Sequence, residues 1–475
     1  MESLRNKPSL NTRRGNSSSK KMSKAFRSTR YLFLAMLAFI LYCIIATLHL
    51  EPDLPNNDEH SKLIRVNTNK SKQEDLPASP NNRHGEKTDK PKATIAYAIS
   101  LTDCGKNEVK SYVEGAAVLR QSIHLSSYES FEVSGSHYSY HLFAFVHPEA
   151  EKCSGPLKTL GYDVMIKDIP LDTSAIKGEF LKEHVVRSGC CGAKEFLKLY
   201  AYTLTDYPVA VHLDMDALIL KPFDVLYDAM IEGSEDQKTK IQQLSHNKEL
   251  KIPQQIDAFF TRDYNMINPG KKNVGAQGGF LIFRPSMDAF NENVEVILEG
   301  DFQRGRGWGG THGGFFGAQQ IQGLTPYFYD ILHPNTAVEL NRCYFNSMND
   351  NPKQKMKRTG EEKCRTGETT CEDCRKTNFD DIYSVHFTIC QKPWECHIEL
   401  MHLNTQRDEK KLCHHFHKSW FTIRKDLEHS YLPTIISNYK SVALDTPDEA
   451  MNKFSHTFCK HGGNQGYLPI SLHDE

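Results

Sequence analysis

The chain has 475 residues, and its 58 Lys and Arg nearly balance its 59 Asp and Glu, which gives a formal net charge of −1. This balance excludes a strongly basic nucleic-acid-binding protein and an acidic tail protein. The length allows roughly two or three domains, or one large α/β domain with extensions.

The charges are distributed unevenly along the chain. Residues 1–30 hold nine Lys or Arg and one Glu, a net charge of +8, whereas the other 445 residues carry −9. Residues 31–50 are apolar and uncharged, about the length that crosses a bilayer. Acidic residues begin at Glu51, so the positive-inside rule predicts a cytosolic basic tail, a transmembrane signal anchor over 31–50 and translocation of the rest. The alternative is a cleaved signal peptide, but the apolar run ends without a small-residue cleavage site.

Residues 51–92 have the composition of a linker. They are rich in Pro, Asn, Lys and Asp and contain almost no clustered aliphatic residues. Such a segment cannot bury enough apolar surface to order itself, so we predict a disordered stem. The triplet Asn69-Lys70-Ser71 is a candidate N-glycosylation site within it.

Twelve of the thirteen cysteines follow the apolar run. An even number on the translocated side predicts disulfides, although their pairing cannot be read from the sequence. Cys371 and Cys374, with the histidines at 414, 415 and 417, could instead form a zinc site. We favour disulfides because an oxidising compartment is expected.

From residue 93 onward, predicted strands alternate with predicted helices. In chain order they are a strand over Ala93–Leu101, a helix over Glu114–Leu125, strands over His141–Val146 and Tyr162–Ile169, a helix over Ala193–Thr205 and a strand over Val209–Leu213. This alternation predicts an α/β domain with a mostly parallel sheet and helices on its faces. Ligands of such sheets bind at the carboxyl ends of the strands. Residues 231–256 are predicted to be a charged, solvated insertion.

The last of these predicted strands runs into two carboxylates, Asp214 and Asp216. Residues two apart in extended backbone point to the same side, so both side chains can bind one cation. Apolar residues flank the pair on both sides, which favours a metal site over a solvated turn because ionised carboxylates beside a core need a compensating charge.

Three further motifs occur in order around the Asp pair. They are Phe196–Leu204, with Lys198 sixteen residues before Asp214; Ala276–Ser286, which reads AQGGFLIFRPS; and His386–Trp394, with six residues from His386 to Lys392. Together with Asp-Met-Asp, they resemble the motifs of glycosyltransferase family 8, the family of glycogenin. The resemblance covers residues 94–396.

This resemblance implies a GT-A fold, which is Rossmann-like, over residues 93–400, and leaves a Cys/His-containing extension over 401–475. It implies a metal-dependent, retaining glycosyltransferase that moves a hexose from a nucleotide diphosphate sugar, expected to be UDP-linked, to an unidentified protein, glycan or lipid acceptor. With the anchor, the expected location is the Golgi or ER membrane, as a single-pass type II protein with a lumenal catalytic domain.

The resemblance also implies roles for individual residues. The metal ligands would be Asp214, Asp216 and His386, with Mn²⁺ or Mg²⁺ bound; an imidazole ligand favours Mn²⁺ over Ca²⁺. The donor-binding residues would be Leu101, Thr102, Tyr112, Lys198, Gln277 and Lys392, and the catalytic candidates would be Lys198 and Gln322. The metal and Lys392 would neutralise the charge that develops on the departing nucleoside diphosphate.

Several positions depart from the family pattern. Ile389 replaces a Gly that lies close to phosphate in relatives, and Gln277 stands where Asn is usual. Gln322 lacks the Asp that precedes it in relatives, and its amide can donate to sugar hydroxyls but cannot act as a base. An inactive lumenal protein that binds a nucleotide sugar or a glycan is therefore the alternative, and a zinc-organised scaffold is a third hypothesis.

Three further segments carry predictions. Residues 305–317 contain seven glycines and are predicted to form a mobile loop, with Trp308 and His312 as candidate sugar contacts, or a plain linker. Cys390 and Cys396 flank Lys392, and we predict that one or both form disulfides that hold this loop rigid. Residues 420–432 have helical periodicity and could pack on the catalytic domain or bind the acceptor.

Overall fold

The computed structural model describes residues 90–105, 111–189, 191–245, 247, 249–270, 274–310, 319–397, 411–442, 455, 457–460 and 466–472. The predicted tail, signal anchor and nearly all of the stem lie outside these ranges, as do Asn69 and His312. Within these ranges we find no helix whose length and hydrophobicity would allow it to cross a membrane.

Thirteen strands lie in the described ranges. They are β1 Ala93–Leu101, β2 Tyr138–Val146, β3 Asp163–Ile166, β4 Ala210–Leu213, β5 Ala217–Ile219, β6 Ala258–Arg262, β7 Ala276–Phe283, β8 Phe302–Gln303, β9 Gly307–Trp308, β10 Ala337–Glu339, β11 Lys353–Lys355, β12 Glu362–Cys364 and β13 Ser384–His386.

The described helices are mostly short. The α-helices are α1 Ser111–Leu125, α2 Phe131–Ser134, α3 Gly155–Thr159, α4 Glu179–His184, α5 Asp224–Tyr227, α6 Glu235–Leu244, α7 Met287–Glu299, α8 Ile321–Tyr327, α9 Lys411–Asp426 and α10 Leu432–Ile435. The 3₁₀ helices are Tyr128–Ser130, Pro148–Cys153, Thr173–Ala175, Val185–Arg187, Gly192–Thr203, Tyr264–Met266, Cys374–Lys376, Phe379–Asp381 and Pro393–Glu395. The π turns are Asp228–Glu232, Phe328–Leu332 and Leu427–Tyr431.

Seven strands form the main sheet, in the order β10-β6-β7-β4-β1-β2-β3. Six of them run parallel to one another, and β7 is antiparallel to both of its neighbours, β4 and β6. The predicted α/β class with a mostly parallel sheet is confirmed. The helix predicted over Ala193–Thr205 is also present, as the 3₁₀ helix Gly192–Thr203.

The interior strand β1 separates two hydrophobic cores. Its side chains alternate, so that Ile95 and Ile99 join one core with α1, whereas Ala96 and Ala98 face the other core with the helix Gly192–Thr203. A strand that is buried on both faces has a nearly continuous apolar sequence, and β1 has such a sequence.

The Pro-Ser end of the motif over Ala276–Ser286 has a local structural role. β7 ends at Phe283, and the Ser286 hydroxyl then accepts the N–H of Ala289 at 3.2 Å as the N-cap of α7. The motif therefore marks where the antiparallel strand stops and the next helix begins.

Two expectations about chain-specific segments are wrong. Residues 231–256 are not a wholly solvated insertion, because they contain α6 and bury Ile241 and Ile256 in the core. Trp308 is not a sugar contact on a mobile loop: it is fully buried in the β8–β9 hairpin, against Phe302 and Tyr327. In both segments, isolated apolar residues become part of a hydrophobic core.

The predicted disulfides are confirmed. The pairs are Cys104–Cys153, Cys343–Cys374, Cys364–Cys371, Cys390–Cys413 and Cys396–Cys459. Cys371 and Cys374 each bond to another cysteine, so their sulfur atoms are not available as zinc ligands, and the zinc hypothesis is wrong. The two bridges that flank Lys392 attach its loop to α9 and to Cys459.

The described part of the C-terminal extension packs on the sheet domain. α9 lies against α1, where a fully buried Arg424 donates to the Glu114 carboxylate at 2.6 Å. The helical periodicity from residue 420 therefore belongs to a packing helix.

Candidate active site

The two aspartates lie in the turn between β4 and β5. The N–H of Asp214 donates to the Gly279 carbonyl of β7 at 3.0 Å, and the N–H of Ala217 donates back to the Asp214 carbonyl at 3.0 Å. These bonds hold the turn at the carboxyl end of β4, where ligands of parallel sheets bind.

A second small sheet places the histidine beside this turn. β13 pairs antiparallel with β5, so that His386 lies opposite Ala217. The N–H of Phe387 also donates to the Asp216 carbonyl at 2.9 Å. Backbone pairing therefore joins residues that are far apart in sequence.

The three predicted metal ligands converge on one point. His386 Nε2 lies 3.0 Å from Asp216 Oδ1 and 3.9 Å from Asp214 Oδ2, and one candidate ligand atom from each residue lies within 4.8 Å of the others. His386 is buried, and among the described residues its Nδ1 has no hydrogen-bond partner. This arrangement directs one imidazole nitrogen and one oxygen of each carboxylate inward.

Two lysines hold the remaining oxygens of the pair. Lys198 Nζ lies 2.8 Å from Asp214 Oδ1. Lys392 Nζ is ion-paired with Asp216 Oδ2 and donates to the Phe387 carbonyl at 3.1 Å. Each aspartate thus has an outer oxygen bound to a lysine and an inner oxygen turned toward His386.

The charges of these groups shift their proton affinities. Burial alone would raise the pKa of Asp216, but His386 and Lys392 outweigh it and hold this pKa well below its ordinary value. Burial alone would also raise the pKa of Asp214, but the nearby Lys198 ammonium outweighs this effect and lowers the pKa. Burial would lower the pKa of His386, but Asp216 raises it. Both carboxylates are therefore ionised at neutral pH.

Two glycines allow backbone to approach the site closely. A Cβ at Gly279 would overlap His386 Cε1 and lie 2.7 Å from Asp214 Oδ2. A Cβ at Gly115 of α1 would overlap the carbonyl oxygen of Met215, between the two aspartates. A side chain at either position would displace the ligands.

A cavity of about 730 Å³ opens in front of the Asp pair. Its lining includes every predicted donor-binding and catalytic residue: Leu101, Thr102, Tyr112, Lys198, Gln277, Gln322 and Lys392. Asp214 and Asp216 also line it, whereas His386 and Ile389 are not among the lining residues. The folded chain therefore brings the motifs together around one space.

Individual lining residues make contacts that the sequence could not specify. The Tyr112 hydroxyl donates to the Cys153 carbonyl at 2.9 Å, and Gln277 Oε1 accepts the N–H of Gly279 at 2.6 Å. Lys194 contacts the Thr102 carbonyl at 3.4 Å and is ion-paired with Glu149 at 2.5 Å.

Glu195 is a lining residue that the motif analysis missed. Its Oε1 lies 2.7 Å from Lys198 Nζ, and 12% of its side chain is exposed. The signal was present in the sequence, because residues three apart in a helix lie on the same face and Glu195 precedes Lys198 by three.

Comparisons with known proteins gave structural similarities alone. No protein-family model and no curated protein matches the chain. The apo structure of WbbM, a bifunctional glycosyltransferase, is 12% identical with a TM-score of 0.33; the match covers 64% of this chain and 47% of WbbM, about half of its length. The apo form of mouse xyloside xylosyltransferase 1 is 11% identical with a TM-score of 0.31, covering 53% and 87% of the two chains. The galactosyltransferase LgtC, in complex with donor and acceptor sugar analogs, is 10% identical with a TM-score of 0.29, covering 63% and 89%.

Asp263, at the end of β6, provides a prediction about stability. Burial and the nearby Asp350 raise its pKa from 3.8 to about 6. The raised pKa means that the ionised Asp263 carboxylate is less favourable in the folded protein than in the unfolded chain. Stability is therefore highest below pH 3.8, the pKa of an ordinary Asp, and falls as the pH rises through about 6. Asp263→Asn should therefore raise the free energy of unfolding by about 3 kcal/mol above pH 7, with the gain vanishing below about pH 4. Denaturant unfolding of the wild type and of Asp263→Asn between about pH 4 and pH 7 measures this difference in the free energy of unfolding. An equal gain at every pH would contradict the electrostatic cause.

Proposed function

We propose that this chain is a metal-dependent, retaining glycosyltransferase that moves a hexose from a nucleotide diphosphate sugar to a protein, glycan or lipid acceptor. UDP is the expected nucleotide. The observation that carries the proposal is the convergence of two inner carboxylate oxygens and one imidazole nitrogen at a cavity that also contains Lys392. The four motifs that resemble glycosyltransferase family 8 support it.

The ligand set fits a divalent cation. Two carboxylate oxygens and one neutral imidazole suit Mn²⁺, and they also accept Mg²⁺. Gly279 lets His386 and Asp214 pack directly against its backbone, since a Cβ there would overlap both side chains. A bound cation at Asp214, Asp216 and His386 would act as a Lewis acid that offsets negative charge on a diphosphate.

The chain's own residues supply the remaining electrostatics. The Lys392 ammonium lines the cavity beside the Asp pair, with 35% of its side chain exposed, so it can donate to phosphate oxygens. Lys198 holds Asp214 in place from behind. A donor bound in front of the Asp pair thus meets positive charge where the leaving group acquires negative charge.

The amide at Gln322 permits the retaining front-face mechanism that the resemblance to glycosyltransferase family 8 implies. An amide has no basic or nucleophilic oxygen of carboxylate strength, so Gln322 can orient a sugar but cannot form a glycosyl ester. The acceptor oxygen then bonds to the anomeric carbon on the face from which the phosphate oxygen leaves, and that phosphate oxygen takes the acceptor proton. Transfer on the same face retains the anomeric configuration.

The proposed location is the Golgi or ER membrane, with residues 31–50 as a type II anchor. The charge difference across this apolar run supports the orientation. Five disulfides among the described residues support an oxidising compartment.

Release of nucleoside diphosphate from a panel of nucleotide sugars tests the proposal. Full-length protein should release diphosphate from at least one donor, and chelation of divalent metal should lower the rate at least about tenfold, with recovery on adding Mn²⁺. Asp214→Asn should lower it similarly because a neutral amide binds a cation more weakly than a carboxylate does.

Asp288→Asn, which changes an aspartate in the first turn of α7, is the control and should match the wild type. A rate that ignores both metal and Asp214→Asn would contradict the mechanism. Binding of nucleotide sugars without any turnover would favour the inactive binding protein instead.

A further inference from the structure

Glu195 brings a further carboxylate into the cavity, from a different element than the Asp pair. It belongs to the 3₁₀ helix Gly192–Thr203, which packs beneath the cavity through buried side chains such as Phe196. Its own side chain is largely buried but faces the cavity. A carboxylate in this position can contact a molecule bound beside Asp214.

Lys198 connects this carboxylate to the Asp pair. Its ammonium lies 2.8 Å from Asp214 Oδ1, 2.7 Å from Glu195 Oε1 and 2.9 Å from the Gly278 carbonyl. An ammonium has three N–H donors, so these three acceptors use all of them. A sugar could bind Lys198 only by displacing one of these contacts. The geometry therefore makes Lys198 a positioning residue that ties Glu195 to Asp214.

Gly278 brings Glu195 close to Gln322. A Cβ at Gly278 would lie 3.4 Å from Glu195 Oε1 and 3.2 Å from Gln322 Cγ. Both side chains therefore lie next to the backbone of Gly278, which has no side chain to separate them. A carboxylate has about four lone-pair sites, and an amide both donates and accepts. The two together offer complementary partners for neighbouring hydroxyl groups.

We infer that Glu195, together with Gln322, binds hydroxyl groups of the donor hexose and that Glu195 determines which hexose is accepted. The inference rests on the proposed transferase function. Hydroxyl groups that donate to a carboxylate form strong hydrogen bonds, and an analogue that lacks the hydroxyl loses one of these bonds. The ion pair with Lys198 offsets the repulsion between the Glu195 carboxylate and the diphosphate.

Glu195→Gln in the full-length protein tests this role. Binding is measured by calorimetry with UDP or GDP in the presence of Mn²⁺, and turnover with a donor series in which each sugar hydroxyl in turn is absent or inverted. The affinity for the nucleoside diphosphate should change less than about twofold, because it carries no sugar. We expect kcat/KM for the preferred donor to fall about tenfold to a hundredfold, as for loss of a hydrogen bond to a charged group.

The discriminating readout is the loss caused by removing one particular hydroxyl. In the wild type, removing this hydroxyl should lower kcat/KM. In Glu195→Gln the same removal should have a smaller effect, reduced by about the factor by which kcat/KM for the preferred donor falls. Glu195→Asp keeps the charge, so it should restore part of the sensitivity to this hydroxyl. An unchanged ranking of all donors would overturn the inference and leave the transferase proposal standing. Equal losses in nucleotide affinity and turnover would also overturn it, because Glu195 would then act only through Lys198 and Asp214.

Two further measurements separate the possible failures. Glu299→Gln is the matched control, since Glu299 is paired with Lys177 at the same 2.7 Å but on the exposed surface, and it should behave as the wild type. A wild-type protein that binds no nucleoside diphosphate and turns over no donor would overturn the proposed function itself, and the inference with it. Thermal unfolding of each variant confirms that the compared proteins are folded.

Discussion

Replacing Gly279 by alanine is expected to lower the rate of nucleoside diphosphate release about a hundredfold or more. The added Cβ would overlap His386 Cε1 and approach Asp214 Oδ2 to 2.7 Å. Both neighbours are predicted ligands whose backbones are held by paired strands, so they can make room only by leaving their positions. A displacement of about 1 Å in a catalytic group costs about a hundredfold in rate. Rate and Mn²⁺ affinity of the variant are measured together, and both should fall.

Gly155→Ala is the matched control for this change. A Cβ at Gly155, the first residue of α3, meets nothing within 4 Å, so activity should be unchanged. Measurement below the unfolding temperature of each variant separates damage to the site from loss of the fold. Wild-type Mn²⁺ affinity and turnover in Gly279→Ala would show that the three candidate ligands do not form the metal centre.

Replacing Arg424 by methionine is expected to lower the free energy of unfolding by about 3 to 5 kcal/mol. Its guanidinium is fully buried, and it donates to Glu114 at 2.6 Å, to Glu428 at 2.7 and 2.9 Å and to the Leu468 carbonyl at 3.0 Å. Removing the cation leaves two buried carboxylates without their counter-charge. Denaturant unfolding at neutral pH measures the loss.

Lys418→Met, on the exposed side of the same helix, is the control and should change stability by less than about 0.5 kcal/mol. The double variant Arg424→Met/Glu114→Gln should recover part of the lost stability, because it also removes the Glu114 carboxylate that Arg424→Met leaves without a counter-charge. Equal stability of Arg424→Met and the wild type would mean that the buried ion pairs contribute no net stability.

Arg424 also matters for the site. Glu114 precedes Gly115, whose backbone approaches the Met215 carbonyl in the turn between the two aspartates. The C-terminal helix α9 thus supports α1 at the point where α1 contacts the metal-site turn. A sequence motif could not reveal this support, because Arg424 and Glu114 lie at opposite ends of the domain sequence.

Much of the fold could be predicted because its elements have local signals. β1 is a nearly continuous apolar run, and the helix that carries Lys198 has helical periodicity. The burial of Trp308 and Ile241 was missed because both lie in polar or Gly-rich surroundings, where periodicity carries no signal. Whether such residues are buried depends on which other elements pack against them in the folded chain.

The sequence by itself determined the α/β alternation, the Asp pair at a strand end and the even number of cysteines after the apolar run. The first two features follow from local backbone geometry, because residues two apart on a strand share a face and the spacing of apolar residues indicates helix or strand. The cysteine count is a matter of composition. Only the tertiary structure decided the disulfide pairs, the inner and outer oxygens of Asp214 and Asp216, and the place of Glu195 beside Gln322. These depend on long-range backbone pairing and on close approach at glycines, which no local pattern encodes.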